Sequence, residues 1–369
     1  MLLGPCLCYR GRVAGTSIVE LWAKPWSIAL TEPFGIATGA QAVAENVLVG
    51  VRLEDGTVGL GEAAPFPAVN GETQADALSA VSRAARALTR EDATRWRRVA
   101  AIVREVALEA PSARAGVEAA VLDAVTRRAG LSLHRFFGGA EESLETDITI
   151  VTGSPDEARG AAERAARAGF STLKVKVGGA PLEHDLSRLA AIAEAAPGAR
   201  WILDANASLE PDAAVELVER VGAGRVALFE QPTAEDDLDG LRSVRKRTRV
   251  LVAADESARS AEDVAELAAS RAADVINVKI TKCGIAEACD MIAAARGYNL
   301  GLMIGGMVES KLAMTVSACL AAGHGGFSFV DLDTPLFMKD AKTRGGFLQE
   351  GPLLRVSDIR EGHGVEVEL

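Results

Sequence analysis

Residues 172–205 read TLKVKVGGAPLEHDLSRLAAIAEAAPGARWILDA. This stretch contains a β-favouring run, a run with helical spacing and a second β-favouring run, which is the pattern of two parallel strands joined through a helix. The same unit recurs along the chain and predicts eight strands. The predicted strands are Asp147–Val151, Thr172–Val177, Trp201–Ala205, Val226–Glu230, Val250–Ala254, Val275–Lys279, Leu300–Ile304 and Phe327–Leu332.

The first of the intervening helices has a complete start signal. Ser154 is a candidate N-cap, Pro155 suits the first turn, and Asp156-Glu157 suit the positive end of the helix dipole. We expect this helix to end before Gly169.

Eight such units predict an α/β fold in which the strands close into a parallel barrel, with an open doubly wound sheet as the alternative. A helix after the eighth strand is doubtful. The chain there runs through Pro335 and Gly345-Gly346 into Leu353–Leu369, whose alternating pattern is typical of strands. We expect these strands to return towards the N-terminal segment.

The residues ahead of the barrel are predicted to be α+β. Val47–Leu53 and Thr57–Leu60 flank Glu54-Asp55-Gly56 and predict a hairpin. Helical spacing follows at Gln74–Leu88, Ala93–Leu108 and Ala113–Ala129.

Composition excludes several classes of protein. The 369 residues are 49% hydrophobic and 25% charged, which is typical of a soluble globular chain, and the net charge of −11 argues against nucleic acid or an anionic membrane as a partner. Five cysteines without zinc-like spacing favour a reduced, cytoplasmic protein.

Two apolar stretches raise the question of a membrane or export signal. Met1–Cys8 has no basic start and no cleavage site, so we expect an extension rather than a signal peptide. Leu312–Val330 has no charged residue, but the glycines around His324 divide it into a helix and a strand.

Charged side chains stand at the predicted strand ends, in phase with the repeat. From Lys176 through Asp204, Glu230 and Asp255 to Lys279, the intervals are 28, 26, 25 and 24 residues. Alone, each would be interpreted as a cap or surface residue. Together they indicate a site, because the carboxyl ends of barrel strands form one functional face.

Three of these residues are carboxylates on consecutive strands. Asp204, Glu230 and Asp255 would repel one another in a crowded barrel mouth unless a cation compensated them. Oxygen ligands favour Mg²⁺, and zinc is disfavoured because no His or Cys accompanies them.

The lysines complete a proton-transfer site. Lys174 and Lys176 are two residues apart and therefore point to the same face of their strand, while Lys279 is four strands away, on the opposite wall. One lysine could remove an α-proton and the other return a proton to the opposite face, with the metal stabilising the enolate between. Like charge and a nearby metal are expected to lower a lysine pKa, so that a neutral amine is available as base. Beyond this strand end, Lys282 and Cys283 are expected to be loop residues.

As an ordered set, the motifs of the chain resemble the enolase superfamily, muconate-lactonizing-enzyme subgroup, and most closely its dipeptide epimerases of the L-Ala-D/L-Glu epimerase type. The motifs are Leu30-Thr31-Glu32-Pro33-Phe34, Gly59-Leu60-Gly61-Glu62-Ala63, Lys174-Val175-Lys176-Val177-Gly178, Leu203-Asp204-Ala205-Asn206, Glu230-Gln231-Pro232, Ala254-Asp255-Glu256-Ser257, Asn277-Val278-Lys279 and Gly306-Met307-Val308-Glu309.

The resemblance implies a (β/α)7β modified TIM barrel over residues 141–344. An α+β capping domain would comprise residues 1–140, completed by the tail 345–369. It also implies Mg²⁺ bound by Asp204, Glu230 and Asp255.

The resemblance further implies an acid/base pair of Lys176 and Lys279. Lys174 would hold the substrate carboxylate and stabilise the enolate. Asp331 and Asp333 would bind the α-ammonium group of a dipeptide, and Thr149 is a further substrate contact. A homo-oligomer is compatible with this subgroup.

One position departs from the family pattern. Glutamate-specific members carry an arginine where this chain has Gly39, and residues 30–46 contain no Lys or Arg at all. A buried carboxylate without a partner is costly, so we expect a dipeptide whose second residue is not acidic.

Two alternatives stay open. One is another reaction of the subgroup, such as N-acylamino acid racemisation, o-succinylbenzoate synthesis or muconate cycloisomerisation, although these substrates carry no ammonium for the aspartate pair. The other is an inactive barrel that acts as a binding protein.

Overall fold

The computed structural model describes residues 14–36, 39–339 and 341–368, so the expectation for Met1–Cys8 lies outside the described residues. The strands are β1 Ile18–Ile36, β2 Gly39–Leu53, β3 Val58–Ala63, β4 Ser143–Glu145, β5 Ile148–Ile150, β6 Thr172–Lys176, β7 Arg200–Asp204, β8 Val226–Glu230, β9 Val252–Ala254, β10 Val275–Val278, β11 Gly301–Ile304, β12 Phe329–Val330, β13 Thr343–Gly345, β14 Leu348–Glu350, β15 Leu353–Arg355 and β16 Val365–Val367.

The helices alternate with the strands from β5 onward. They are α1 Pro67–Asn70, α2 Gln74–Leu88, α3 Trp96–Val106, α4 Pro111–Arg128, α5 Leu133–Phe136, α6 Pro155–Arg167, α7 Leu182–Ala195, α8 Pro211–Val221, α9 Leu238–Thr248, α10 Ala261–Ser270, α11 Ile280–Cys283, α12 Ile285–Gly297 and α13 Lys311–His324.

The barrel is one parallel sheet in which β5 to β12 pair in sequence order. Its two edge strands form no ladder, but the Asp147 N–H donates to the Val330 carbonyl at 2.9 Å across the seam. A helix follows each of the first seven strands, whereas a 3-10 turn, Thr334–Phe337, follows β12. The predicted (β/α)7β fold is therefore confirmed.

Local sequence signals explain the helix starts. Ser154 and Glu157 form a capping box at the start of α6, and Pro155 occupies its first turn, as predicted. The uncharged stretch is confirmed as α13 followed by β12. Among the described residues, no helix has the length and apolarity needed to cross a bilayer.

The N-terminal segment is a three-stranded antiparallel sheet, β1-β2-β3, packed on α2, α3 and α4. The predicted hairpin turn is confirmed between β2 and β3. Gly59 and Gly61 allow β3 to lie directly on α4, since a Cβ at these positions would come within 2.2 Å of Ala120 O and 2.1 Å of Gly116 O.

The C-terminal strands divide between two partners. β15 pairs with β14 and with β4, while β16 pairs with β13. Val365 of β16 packs with Leu48 of β2 and Leu312 of α13, so the tail contacts both the N-terminal sheet and a barrel helix. The division into a capping domain, 1–140 with 345–369, and a barrel, 141–344, stays a prediction.

Candidate active site

A cavity at the carboxyl ends of the barrel strands collects most of the predicted site residues. Polar groups from the barrel face apolar side chains from the N-terminal segment and the loop after β11. Its lining includes Phe34, Phe66, Val69, Thr149, Lys174, Lys176, Asn206, Asp255, Glu256, Lys279, Met307, Val308, Asp331 and Thr334.

Asp204, Glu230 and Asp255, which we call the central cluster, come from neighbouring strands. Asp204 and Glu230 are ladder partners at the ends of β7 and β8, and Asp255 directly follows β9. All three are buried. Each of the two aspartates accepts a hydrogen bond from a lysine: Lys176 Nζ donates to Asp204 Oδ2 and Lys279 Nζ to Asp255 Oδ2, each at 2.6 Å.

Lys174 bridges this cluster to a second one. Its Nζ lies 3.0 Å from Asp204 Oδ2, 2.9 Å from Glu230 Oε2 and 2.6 Å from Asp331 Oδ2. Because Lys174 and Lys176 lie two residues apart on β6, both side chains enter the barrel, as their spacing predicts.

The pKa shifts in the central cluster differ between the two aspartates and the glutamate. Burial opposes ionisation of Asp204 and Asp255, but the neighbouring lysines outweigh it and lower the pKa of both carboxyls. At Glu230, burial and the nearby Asp204 raise the pKa to about 8. Glu230 Oε2 also makes no hydrogen bond of acceptable geometry. Among the described residues, these are three neighbouring buried carboxylates with one oxygen that lacks a hydrogen-bond partner and no His or Cys in the set. They offer the oxygen ligands that a hard divalent cation prefers.

The expectation of a lowered lysine pKa does not hold for Lys279. Burial alone would lower its pKa, but Asp255, Glu230 and Glu256 raise it above its usual range. A bound metal would lower this pKa, but without its charge the carboxylates dominate the surroundings of the lysine.

Lys282 corrects a second expectation. It lies in α11 and is buried rather than being a loop residue, and its Nζ donates to Asp255 Oδ1 at 2.6 Å, Asp255 O at 2.6 Å and Asn277 O at 2.9 Å. Lys282 therefore fixes one carboxylate oxygen of Asp255 and leaves Oδ2 facing Lys279.

Two amides hold the remaining groups in place. Asn277 Nδ2 donates to Glu230 Oε1 at 2.9 Å. Gln231 Oε1 accepts from the backbone N–H groups of Asp255 and Ser257 at 2.9 and 3.1 Å. Both amides lie within the quoted motifs, but their partners are more than twenty residues away, so their roles could not be predicted from the sequence.

Asp147, Asp331 and Asp333, which we call the edge cluster, lie where the two edge strands of the sheet meet. One carboxylate oxygen from each lies within 4.8 Å of the others, and all three residues are buried. Asp333 Oδ2 accepts the Thr149 backbone N–H at 2.5 Å. Asp331, Asp333 and Thr149 are thus brought together as predicted.

Asp147 was missed, although a signal existed. It lies two residues before Thr149, and alternate residues of a strand share a face. Burial and the charges of Asp331 and Asp333 raise the pKa of Asp147 well above its usual range. Burial and Asp331 likewise raise the pKa of Asp333 to about 7.

Two family models match the chain. Enolase C-terminal domain-like matches residues 156–369, and the mandelate racemase / muconate lactonizing enzyme N-terminal domain matches residues 11–138. The chain belongs to the enolase superfamily. The predicted family is therefore confirmed.

Similar proteins support an epimerase. The chain is 48% identical over 354 residues to an aromatic dipeptide epimerase of Herpetosiphon aurantiacus, covering 95% of this chain and 99% of the relative. It is 37% identical to an L-Ala-D/L-Glu epimerase of Thermotoga maritima, covering 89% and 95%.

A solved structure of a dipeptide epimerase has the same fold as this chain. The dipeptide epimerase of Enterococcus faecalis, crystallised with Mg and the dipeptide L-Leu-L-Tyr, is 32% identical and superposes with a TM-score of 0.91, covering 95% of this chain and 99% of that one. These relatives confirm the predicted enzyme class, an isomerase.

Proposed function

We propose that this protein is a magnesium-dependent dipeptide epimerase that inverts the α-carbon of the C-terminal residue of L-Ala-Xaa-type dipeptides, with Xaa apolar. The arrangement of the two clusters carries the proposal. A dipeptide is a zwitterion, and the cavity offers lysines at the central cluster and carboxylates at the edge cluster, with Lys174 between them. The carboxylate of the substrate would therefore face the lysines, and its ammonium group would face the carboxylates of the edge cluster.

Asp204, Glu230 and Asp255 would hold Mg²⁺. When bound, the ion supplies positive charge beside the substrate carboxylate and so stabilises the charge that develops as the α-proton leaves. Lys174, which contacts Asp204 and Glu230, is placed to bind the same carboxylate.

The proton transfer belongs to two lysines. Lys176 extends from β6 and Lys279 follows β10, four strands apart, and both line the cavity. One accepts the α-proton as a neutral amine, and the other, protonated, donates its proton to the opposite face of the same carbon. The net change is inversion at that carbon with one proton exchanged.

Asp331 and Asp333 of the edge cluster would bind the amine of the first residue. Asp331 lines the cavity, and Asp333 is fixed by the Thr149 backbone N–H. This requirement separates the proposal from the subgroup reactions whose substrates lack an ammonium.

Apolar side chains support the choice of Xaa. Phe34, Phe66, Val69, Met307 and Val308 line the cavity opposite the lysines, and its only cationic lining side chains among the described residues are those of Lys174, Lys176 and Lys279.

Gly39 supports the same choice, since it lies beside α1, with a Cβ there 3.3 Å from Ala68 Cβ, and supplies no cation for a second carboxylate. The Herpetosiphon relative is named for aromatic dipeptides, whereas the Thermotoga relative is named for L-Ala-D/L-Glu.

A reducing location belongs to the proposal. Cys283, Cys289 and Cys319 are buried free thiols, which suits the cytoplasm.

A substrate panel tests the function. The protein is incubated with Mg²⁺ in deuterium oxide with L-Ala-L-Phe, L-Ala-L-Leu, L-Ala-L-Glu and N-acetyl-L-Phe, and mass spectrometry follows single-deuterium gain. We expect exchange on the first two and little on the others. Faster exchange on L-Ala-L-Glu would overturn the preference, and exchange on the acylated amino acid alone would overturn the function.

A further inference from the structure

Asp147 is a buried acid that the proposed reaction does not use. It is 2% exposed, and neither of its carboxylate oxygens has a hydrogen-bond partner among the described residues. Buried polar groups are nearly always paired. An orphaned carboxylate with an oxygen within 4.8 Å of one from the cavity-lining Asp331 therefore indicates that a ligand completes its surroundings.

The orphaned oxygens converge with others. One oxygen from each of Asp147, Asp331 and Asp333 lies within 4.8 Å of the other two. In the described part of the chain, Asp333 Oδ1 also has no hydrogen-bond partner. Lys174 reaches this cluster from one side, through Asp331 Oδ2 at 2.6 Å. Acceptors therefore outnumber donors here.

We propose that Asp147 is the third acceptor of a site for a primary ammonium group and selects substrates with an unsubstituted N-terminal amine. A primary ammonium carries three N–H donors, which matches one acceptor from each carboxylate of the edge cluster. The inference rests on the proposed function, because the amine is that of the first residue of the dipeptide.

A divalent cation is the other ligand that three carboxylates could hold. The ammonium of Lys174 is already in contact with Asp331, and it would repel a doubly charged ion more strongly than a singly charged one. The structure therefore favours the amine, and the metal is one outcome of the test.

The test compares two ligands that differ only at this group. One is L-Ala-L-Phe, and the other is N-isobutyryl-L-phenylalanine, in which a methyl group replaces the ammonium. For wild type and Asp147→Asn with Mg²⁺, kcat and KM are measured for the dipeptide, together with the inhibition constant of the isobutyryl compound.

Asp147→Asn should raise KM for the dipeptide about tenfold or more, with kcat little changed, since the lost contact acts on substrate and transition state alike. The inhibition constant of the isobutyryl compound should stay the same or fall. Asp92→Asn, which changes a buried aspartate of the N-terminal segment, is the matched control and should alter neither constant. Asp147→Ser takes the place of Asp147→Asn if the latter does not fold.

Three results would overturn the inference. A parallel rise of KM and the inhibition constant would show a merely structural role. A tenfold loss of Mg²⁺ affinity in dipeptide-free Asp147→Asn, measured by calorimetry, would show a metal site. If Asp147→Asn prefers the dipeptide over the isobutyryl compound as strongly as wild type does, Asp147 does not bind the amine, and the proposed function still stands. Calorimetry of wild type tests the proposed function separately. If wild type binds the dipeptide no more tightly than the isobutyryl compound, the proposed function fails and the inference fails with it.

Discussion

The central and edge clusters each place three buried carboxylates in one barrel mouth, but they differ in how those charges are compensated. Each acid of the central cluster lies within 3 Å of a lysine Nζ. Among the residues that the structure describes, Asp331 alone of the edge cluster contacts a lysine, and both oxygens of Asp147 lack a hydrogen-bond partner. A lysine bound to a carboxylate can be displaced by a metal and freed for proton transfer, whereas orphaned acids need a cation brought by the substrate.

The largest expected effect comes from the lysines of the central cluster. Lys176→Ala and Lys279→Ala should each lower the epimerisation rate for L-Ala-L-Phe by about 10³-fold, because each removes one of two proton-transfer groups. Both variants should fold, since Asp204 keeps Lys174 and Asp255 keeps Lys282. Polarimetry measures the rate, and Lys246→Ala, on the exposed side of α9, is the control. A rate within tenfold of wild type in either variant would contradict the pairing.

The edge cluster should respond through binding instead. Asp331→Asn removes a charge that faces the dipeptide amine and should lower kcat/KM by about 10²-fold, mainly through KM. Steady-state kinetics check this, with the exposed Asp239→Asn as control. A loss confined to kcat would place Asp331 with the central cluster.

Residues outside both clusters should decide the side chain of Xaa. Gly39→Arg adds a cation beside α1, whose Val69 lines the cavity, and should raise the kcat/KM ratio of L-Ala-L-Glu to L-Ala-L-Phe about tenfold. Gly39→Ala tests the backbone change alone, and its Cβ needs only a small adjustment against Ala68. An unchanged ratio in Gly39→Arg would mean that the Xaa side chain lies elsewhere.

The two clusters should also govern the pH dependence of stability, without any change in the reaction itself. Folding raises the pKa of Glu230 to about 8 and of Asp333 to about 7, so the metal-free folded state binds more protons than the unfolded state between about pH 5 and pH 7. This contribution is complete below the unfolded pKa values and is lost as pH rises through the folded ones.

The metal-free protein should therefore unfold at a lower temperature at pH 8 than at pH 6. Between its unfolded and folded pKa values, each of the two carboxyls lowers the free energy of unfolding by about 1.4 kcal/mol per pH unit. Glu230→Gln and Asp333→Asn should each make the slope shallower. Calorimetry at a series of pH values measures it, and added Mg²⁺ should restore stability at pH 8. A melting temperature that rises with pH would contradict the charge states of both clusters.

The sequence predicted the barrel and its strand ends because periodic strands carry their own signal. Val226–Glu230 and Gln74–Leu88 match their predicted bounds. Most of the other barrel strands are shorter than predicted, because β-favouring residues continue beyond the hydrogen-bonded ladder, whereas β2 begins at Gly39, eight residues before its predicted start. Strand β1 was not predicted. It contains Pro25 and Pro33, and a strand tolerates proline when it is the edge of a sheet, which the sequence does not reveal.

The site was predictable where function follows strand position and was missed where it depends on tertiary contact. Asp204, Glu230 and Asp255 are in phase with the repeat, so their convergence follows from the barrel. The roles of Lys282 and Asp147 depend on their closeness to Asp255 and Asp331, which are distant in sequence. Similarly, the pKa of Lys279 depends on three carboxylates from separate elements.

The position of deuterium after the first turnovers tests the two-lysine account most directly. L-Ala-L-Phe is converted with Mg²⁺ in deuterium oxide, and proton NMR follows the α-hydrogen of Phe in both epimers. We predict that the L-Ala-D-Phe product carries deuterium from the outset while the remaining substrate keeps its proton. Product that retains the original proton would show a single base acting on both faces and would contradict the account.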